Sequence, residues 1–82
     1  MSTLHEVQSP LPGTFYRRAS PEAALFKSEG DAVAVGDVLG LIEVMKQFSE
    51  VTAEVAGTLK NFLIGNDESV EPGQPLAIIE SA

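Results

Sequence analysis

The chain has 82 residues, of which 44% are hydrophobic, and a formal net charge of −7. This length suits one small domain, which buries about 60% of its unfolded surface. The absence of cysteine excludes disulfides and thiolate sites, and five basic residues against twelve acidic ones argue against nucleic acid as a partner. No apolar stretch approaches the about 20 residues of a membrane helix, and no signal peptide is apparent. The composition predicts a soluble cytoplasmic protein with no membrane partner.

In chain order, the first predicted element is a short helix at residues 20–24, where a serine fits the cap position and a proline the first helical position. It has room for a turn or two at most. The stronger signals are those of β-strands. Residues 38–44 and 76–80 are apolar runs bounded by turn residues, and residues 50–55 alternate polar with apolar side chains. The pattern predicts an all-β domain.

Two turns precede the apolar runs. Residues 71–74 fit a type II turn, because Pro72 presets φ at the second position and Gly73 permits a positive φ at the third. Residues 34–37 are the counterpart in the first half of the chain, with Gly36 in the same place. Both apolar runs are therefore predicted to start from the same kind of turn.

An internal repeat relates the two halves of the chain. Residues 30–43 match residues 67–80 at a constant offset of 37. The identical pairs at this offset are Val33/Val70, Gly36/Gly73, Leu39/Leu76, Ile42/Ile79 and Glu43/Glu80. A β-unit that occurs twice predicts two related halves packed about a pseudo-two-fold axis.

The repeat also locates an insertion. Gly13 and Gly57 occupy matching places ahead of the two units, and we interpret both as turn glycines. From Gly13 to Gly36 is 23 positions, whereas from Gly57 to Gly73 is 16 positions, so the first half has seven extra residues. They fall around residues 17–24. One half of a symmetric core is therefore predicted to carry a projecting loop.

A lysine stands at the midpoint of the repeat. At the repeat's offset, the position equivalent to Lys46 would come just after Ala82, so the chain ends where a second lysine turn would be. Two related halves would place the Met45-Lys46 turn and the chain termini at opposite ends of the domain. A tight turn without glycine is strained when it needs positive φ, and such strain is kept where it serves a function. This position predicts an exposed, presented amine.

With these features in place, the chain from His5 to Glu80 resembles the biotinyl domain of the biotin carboxyl carrier protein of acetyl-CoA carboxylase. The segments that carry the resemblance are residues 9–16, 20–23, 35–37, 43–46 and 70–76. The resemblance implies that residues 1–82 form a single biotinyl domain. The implied fold is a flattened β-barrel or sandwich of two four-stranded antiparallel sheets, with the lysine on a hairpin tip. The insertion at residues 17–24 corresponds to the family's thumb loop.

The resemblance also implies the function of a carrier that is not catalytic on its own. A biotin protein ligase would join biotin to Lys46 through an amide bond. A biotin carboxylase would carboxylate this biotin from bicarbonate, and a carboxyltransferase would accept the carboxyl group, with acetyl-CoA as the implied acceptor in fatty acid synthesis. In such systems the cofactor supplies the chemistry and the protein supplies reach and placement.

Two groups of residues form the implied cofactor site around Lys46. The first is the recognition context of the ligase, and it consists of Glu43, Val44, Met45 and Gln47. The second is the thumb, Arg18, Ala19, Ser20 and Pro21, where the family usually has Thr-Pro-Ser-Pro. Gln47 stands where the family has a second methionine. Because Glu80 repeats Glu43 with no lysine after it, Glu43 has a structural interpretation beside the recognition one.

Three alternatives stay open: a lipoyl-type carrier, a carrier for a different biotin-dependent carboxylase, and an unmodified interaction module. Lipoyl domains normally have aspartate before the lysine, where Met45 stands here. A self-contained enzyme is disfavoured, because His5 is the single histidine and the sequence has neither a metal-ligand set nor a phosphate-binding loop.

Overall fold

The computed structural model describes residues 3–20 and 22–81, which contain eight β-strands. The strands are β1 (Thr3–Gln8), β2 (Gly13–Tyr16), β3 (Ala32–Val33), β4 (Val38–Val44), β5 (Gln47–Thr52), β6 (Gly57–Phe62), β7 (Glu68–Val70) and β8 (Pro75–Ser81). They form two four-stranded antiparallel sheets, ordered β1-β8-β6-β3 and β5-β4-β2-β7. The predicted all-β sandwich is confirmed, and the two sheets are not closed into a continuous barrel.

Strand pairing follows the repeat. In one half β4 pairs with β5, with Val44 opposite Gln47, and in the other half β8 pairs with β1, with Ser81 opposite Thr3. Each of these two ladders has one register shift, located next to its far end. The link from β4 to β5 is thus the symmetry equivalent of the place where the chain termini lie. The pseudo-two-fold arrangement predicted from the repeat is therefore present in the hydrogen-bonding register.

The buried core explains why the same apolar residues occur at equivalent positions in the two halves of the repeat. The apolar pairs Val33/Val70, Leu39/Leu76 and Ile42/Ile79 are all buried. They divide between two clusters, which consist of Val33, Leu39, Ala53, Leu59, Ala77 and Ile79 in one, and Phe15, Ile42, Val51, Val70 and Leu76 in the other. Val7 and Phe62 pack against both clusters. The repeated positions are therefore the ones that fill the space between the sheets.

The predicted strand at residues 50–55 is shifted: β5 runs from Gln47 to Thr52. It begins directly after the Met45-Lys46 turn. It ends early because Ala53 leaves the sheet, where its N–H donates to the carbonyl of Asp37 at 2.9 Å and its carbonyl accepts from Gly36 at 2.8 Å. The alternation of polar and apolar residues continues past Thr52, but the backbone hydrogen bonds of Ala53 are made with the turn at residues 34–37.

In the segment 20–24, the described residues, 20 and 22–24, do not form the predicted helix. Ala23 N–H donates to the carbonyl of Ser20 at 3.1 Å, which makes a single turn, and Pro21 lies outside the described residues. One hydrogen bond does not repay the entropy of helix nucleation. The chain instead returns on itself, with Arg18 bridged to Leu25 and Phe26 N–H donating to the carbonyl of Arg17 at 2.9 Å. The insertion is thus a loop closed at its base.

The two predicted type II turns have the expected glycines, with φ of 92° at Gly36 and 82° at Gly73. The interpretation of Gly13 and Gly57 as turn glycines is wrong. Both begin strands, and a side chain on either would meet the backbone carbonyl of the neighbouring strand, Glu43 for Gly13 and Glu80 for Gly57. These glycines are needed for close approach of strands.

The first of these turns is stabilised by an acid. Asp37 Oδ2 accepts from the N–H of Ala34 at 2.8 Å and lies 3.3 Å from Lys27 Nζ. The Ala34 hydrogen bond, aided by the Lys27 charge, lowers the pKa of Asp37 below its ordinary 3.8. In the second turn Gln74 Oε1 accepts from Glu71 N–H at 3.0 Å. The turn in the second half of the chain thus has an equivalent side-chain hydrogen bond, made by an amide group that does not titrate.

We expect Asp37→Asn to reduce the acid sensitivity of the fold. A carboxyl with a lowered folded pKa stabilises the folded state above its unfolded pKa, and this contribution is lost as the pH falls through the folded pKa. The melting temperature, followed from neutral pH to below the ordinary pKa of 3.8, should therefore fall less steeply in the variant than in the wild type. Gln74→Asn is the control, with an unchanged slope. Equal slopes for wild type and Asp37→Asn contradict the assignment.

Candidate functional site: an exposed lysine turn

The turn between β4 and β5 has only two residues, Met45 and Lys46. Their φ angles are 51° and 66°, and the flanking residues Val44 and Gln47 are opposite each other in the ladder. Two successive positive φ values are the geometry of a type I′ hairpin turn, which normally takes asparagine or glycine. Each non-glycine residue in this region costs about 1–2 kcal/mol. The predicted strain is therefore present at the lysine and its neighbour.

The two turn side chains contribute nothing to the core. Met45 is 91% exposed, and Lys46 is also exposed. Val44, before the turn, is half-buried and packs against the second core cluster, while Gln47, after it, is exposed. The last core contact thus stands two residues before Lys46, and the amine projects from a short, hydrogen-bonded support.

Cross-strand contacts of Tyr16 hold the base of this hairpin. The Tyr16 hydroxyl donates to Glu43 Oε1 at 3.2 Å, and its ring lies 6.4 Å from that of Phe48. In the other half of the domain the equivalent contact is between Lys60 Nζ and Glu80, at 3.9 Å. Because the acid bridges strands in both halves, the geometry supports the structural interpretation of Glu43.

Electrostatics keep the Tyr16 hydroxyl protonated. Burial raises its pKa above the ordinary 10.0, and the nearby carboxylates of Glu43 and then Asp67 raise the pKa further by charge and hydrogen bonding. A phenol between two carboxylates can donate but has no tendency to ionise. Tyr16 thus serves as a donor that fixes the hairpin, and sequence reasoning did not single it out.

A cavity of about 450 Å³ lies between the inserted loop and β5. Its lining consists of Tyr16, Arg18, Ala19, Ser20, Phe48, Asn66 and Asp67. Asn66 positions the loop, since its side-chain oxygen accepts from the N–H of Arg17 at 2.7 Å. The Arg17 guanidinium lies 4.0 Å from the centre of the Phe62 ring. Arg17 is therefore part of the packing, whereas Arg18 lines the cavity.

The structure thus brings three of the four predicted thumb residues, Arg18, Ala19 and Ser20, to one cavity with Phe48, two positions after Lys46. Pro21, the fourth, lies outside the described residues. Phe48, 57% exposed, is a missed member of the site, and an aromatic residue only two positions after the lysine was the available signal in the sequence. Asn66 and Asp67 carried no sequence signal, because they reach the site only through the fold.

The described ranges, 3–20 and 22–81, contain no group of three or more His, Cys, Asp or Glu residues that could hold a metal ion. His5 is engaged with the other end of the chain, its Nε2 lying 3.1 Å from Ser81 Oγ. The same residues include no helix that is long and apolar enough to cross a membrane.

Comparison with known proteins identifies relatives along almost the whole chain. The family described as Biotin-requiring enzyme matches residues 5–79. The biotin carboxyl carrier protein of acetyl-CoA carboxylase from Haemophilus influenzae is 46% identical over 76 residues, which are 93% of this chain and 49% of that protein. The protein of the same name from Pseudomonas aeruginosa is 47% identical over 73 residues, 89% of this chain and 47% of that protein. The chain spans about half the length of these relatives.

Solved structures show the same fold. The urea carboxylase of Kluyveromyces lactis superimposes with a TM-score of 0.76 at 28% identity, covering 94% of this chain and 6% of that one. A single-chain, multi-domain long-chain acyl-CoA carboxylase gives a TM-score of 0.79 at 23% identity, covering 96% of this chain and 7% of that one. The match over residues 5–79 decides the family. By sequence, this chain belongs to the Biotin-requiring enzyme family.

Proposed function

We propose that the chain is a biotin carboxyl carrier domain and that Lys46 is the residue to which biotin is attached. The observation that carries the proposal is the pair of positive φ angles, 51° and 66°, at an exposed Met45-Lys46 turn. Lys27 and Lys60 differ from Lys46, because Lys27 forms an ion pair with Asp37 and Lys60 forms one with Glu80. Among these three lysines, Lys46 alone stands in a two-residue hairpin turn.

The residues beside the turn fit a biotin ring. The cavity next to β5 presents the aromatic rings of Tyr16 and Phe48, which suit the apolar faces of a fused two-ring group, and the polar groups of Ser20 and Asn66, which suit a ureido edge. Arg18 adds a cation at the same cavity. When bound, biotin supplies a ureido nitrogen that can carry a carboxyl group.

The turn contributes access and position. A ligase must reach the neutral Lys46 amine, whose nitrogen would attack the carbonyl carbon of biotinyl-adenylate. The amide C–N bond forms, the C–O bond to the adenylate breaks with AMP as the leaving group, and a proton leaves the nitrogen. A rigid hairpin presents this amine without local unfolding of the domain. The exposed Met45 and Gln47 flank it and are the residues that a ligase would contact, with Glu43 and Val44 supporting the turn from below.

As a carrier, the domain has no catalytic residues of its own and works with three proteins: a biotin protein ligase, a biotin carboxylase and a carboxyltransferase. Acetyl-CoA is the proposed acceptor, supported by the relatives named as carriers of acetyl-CoA carboxylase, and the cytoplasm is the proposed location. A tethered cofactor acts at high effective concentration near both partner sites.

The test is the intact mass of the chain after co-expression with a biotin protein ligase. We expect a gain of one biotinyl group in the wild type and no gain in Lys46→Arg, while Lys60→Arg, the matched control, gains the group as the wild type does. A folded wild type that gains nothing contradicts the proposal and favours an unmodified interaction module. A gain of a lipoyl group with a lipoate ligase, and none with the biotin ligase, favours a lipoyl-type carrier.

A further inference from the structure

The sandwich is open along one side, where the edges of its two sheets face each other. β1 is the edge of one sheet and β5 the edge of the other, and each is six residues long. Within residues 3–20 and 22–81, no further strand pairs with the outer side of either one. Edge strands of this length have free N–H and C=O groups and are templates for a strand from another protein.

A groove of about 430 Å³ lies between these two edges. The apolar part of its floor consists of Val7 and Val55, which are half-buried and pack against the core, while the lining residues Val51 and Ile79 are themselves buried. An apolar floor between two strand edges fits an extended segment, because such a segment directs every second side chain downwards.

The charges along the groove all have one sign. Glu6, Glu50 and Glu54 line it and are exposed, whereas neither lysine nor arginine does so. The whole chain also carries a net charge of −7. A second copy of the chain would bring like charges together, while an extended segment with alternating basic and apolar residues would match both the floor and the acids.

The groove is separate from the lysine turn. Its contribution from β5 begins at Glu50, so that Lys46 and Phe48 do not line it. A segment seated there would hold the domain while the turn stays accessible. This separation suits a carrier that must be retained by one protein while its amine, or what is attached to it, visits another.

We propose that the groove between β1 and β5 binds an extended, lysine- or arginine-rich segment of a partner protein. The segment adds to the edge of β5 as a β-strand; β5 brings Glu50 to the groove, and Glu54 follows two residues after the end of the strand. Main-chain hydrogen bonds supply affinity, and the alternation of side chains supplies specificity.

The probe is a capped hexapeptide of alternating lysine and valine, titrated into the isotopically labelled chain and followed by NMR. We expect amide shifts confined to residues 5–10 and 50–55, slower amide exchange in β5, and weaker binding at high salt. Two further peptides of the same sequence are N-methylated at the valines or at the lysines, and the one whose methyl groups fall on the donors that face β5 should bind at least tenfold more weakly. Binding of both methylated peptides as tight as that of the parent peptide excludes strand addition and overturns the proposal.

Two variants of equal charge test the acids. Glu50→Gln/Glu54→Gln should weaken binding about fivefold, because each exposed charge pair contributes a factor of about 2 to 5. Glu22→Gln/Glu71→Gln changes the net charge by the same amount at exposed positions outside the groove and should leave the affinity unchanged. Equal weakening by both pairs, shifts elsewhere on the domain, or no shift at millimolar peptide each overturn the proposal. Melting temperatures verify that both variants fold.

Discussion

Exchanging the two turn residues, Met45→Lys together with Lys46→Met, is expected to lower the rate of biotin attachment by about 100-fold or more. The exchange keeps composition, charge and the number of lysines, but it moves the amine to the neighbouring Cα, about 3.8 Å away. In a turn with φ of 51° and 66°, adjacent side chains also leave the backbone in different directions. A misplacement of about 1 Å can cost on the order of 100-fold in a positioned reaction.

The measurement is the time course of biotin incorporation by a purified ligase, followed by intact mass. Lys46→Arg sets the zero level, and Met45→Leu, which keeps an apolar side chain beside the unmoved amine, should react within a few-fold of the wild type. Circular dichroism shows whether the exchanged variant is folded. An exchanged variant that reacts as fast as the wild type means that the ligase reads the lysine without regard to the turn geometry.

Gly57→Ala is expected to destabilise the fold by about 2–3 kcal/mol, as overpacking of a tight site does. The new Cβ would meet the backbone carbonyl of Glu80, lying 2.9 Å from its carbon, and Ile79 Cγ2 at 3.1 Å. A main-chain group held in a sheet cannot rotate aside, so strands β6 and β8 would have to separate. For a domain of this size the melting temperature should fall by about 10 °C or more.

Gly65→Ala is the matched control for Gly57→Ala. Its added Cβ would meet nothing closer than 3.6 Å, and the nearest atom belongs to the end of the Glu68 side chain. Thermal unfolding of both variants gives the comparison, and Gly65→Ala should stay within about 0.5 kcal/mol of the wild type. If both glycines tolerate alanine equally well, the close approach of β6 to β8 is not needed for stability.

The interpretation of four glycines as turn residues shows what local sequence can and cannot indicate. Gly36 and Gly73 were identified correctly, because a type II turn is a local structure and its glycine is recognised from its immediate neighbours. Gly13 and Gly57 were misinterpreted as turn glycines, because the atoms that exclude a side chain there belong to Glu43 and Glu80, which are 30 and 23 positions away. No local pattern contains that contact.

Strand β5 illustrates the same limit. The predicted strand at residues 50–55 carries the right alternation, yet the ladder occupies Gln47–Thr52. The two-residue turn at Met45-Lys46 sets the register from one end, and the bonds of Ala53 to Gly36 and Asp37 end the strand at the other. The cavity beside β5 could not be predicted from the sequence either, because its walls come from three separate parts of the chain.

The amino-acid sequence by itself determined the duplicated β-unit, the buried identities at the offset of 37, the place of the insertion and the lysine at the midpoint. These depend on periodicity and turn chemistry, which act between near neighbours or between like segments. Only the tertiary structure decided how Tyr16 and Phe48 support the lysine turn, which glycines allow two strands to approach closely, and that β1 and β5 leave a groove open between them. Those features depend on distances between residues that become neighbours only when the two sheets pack.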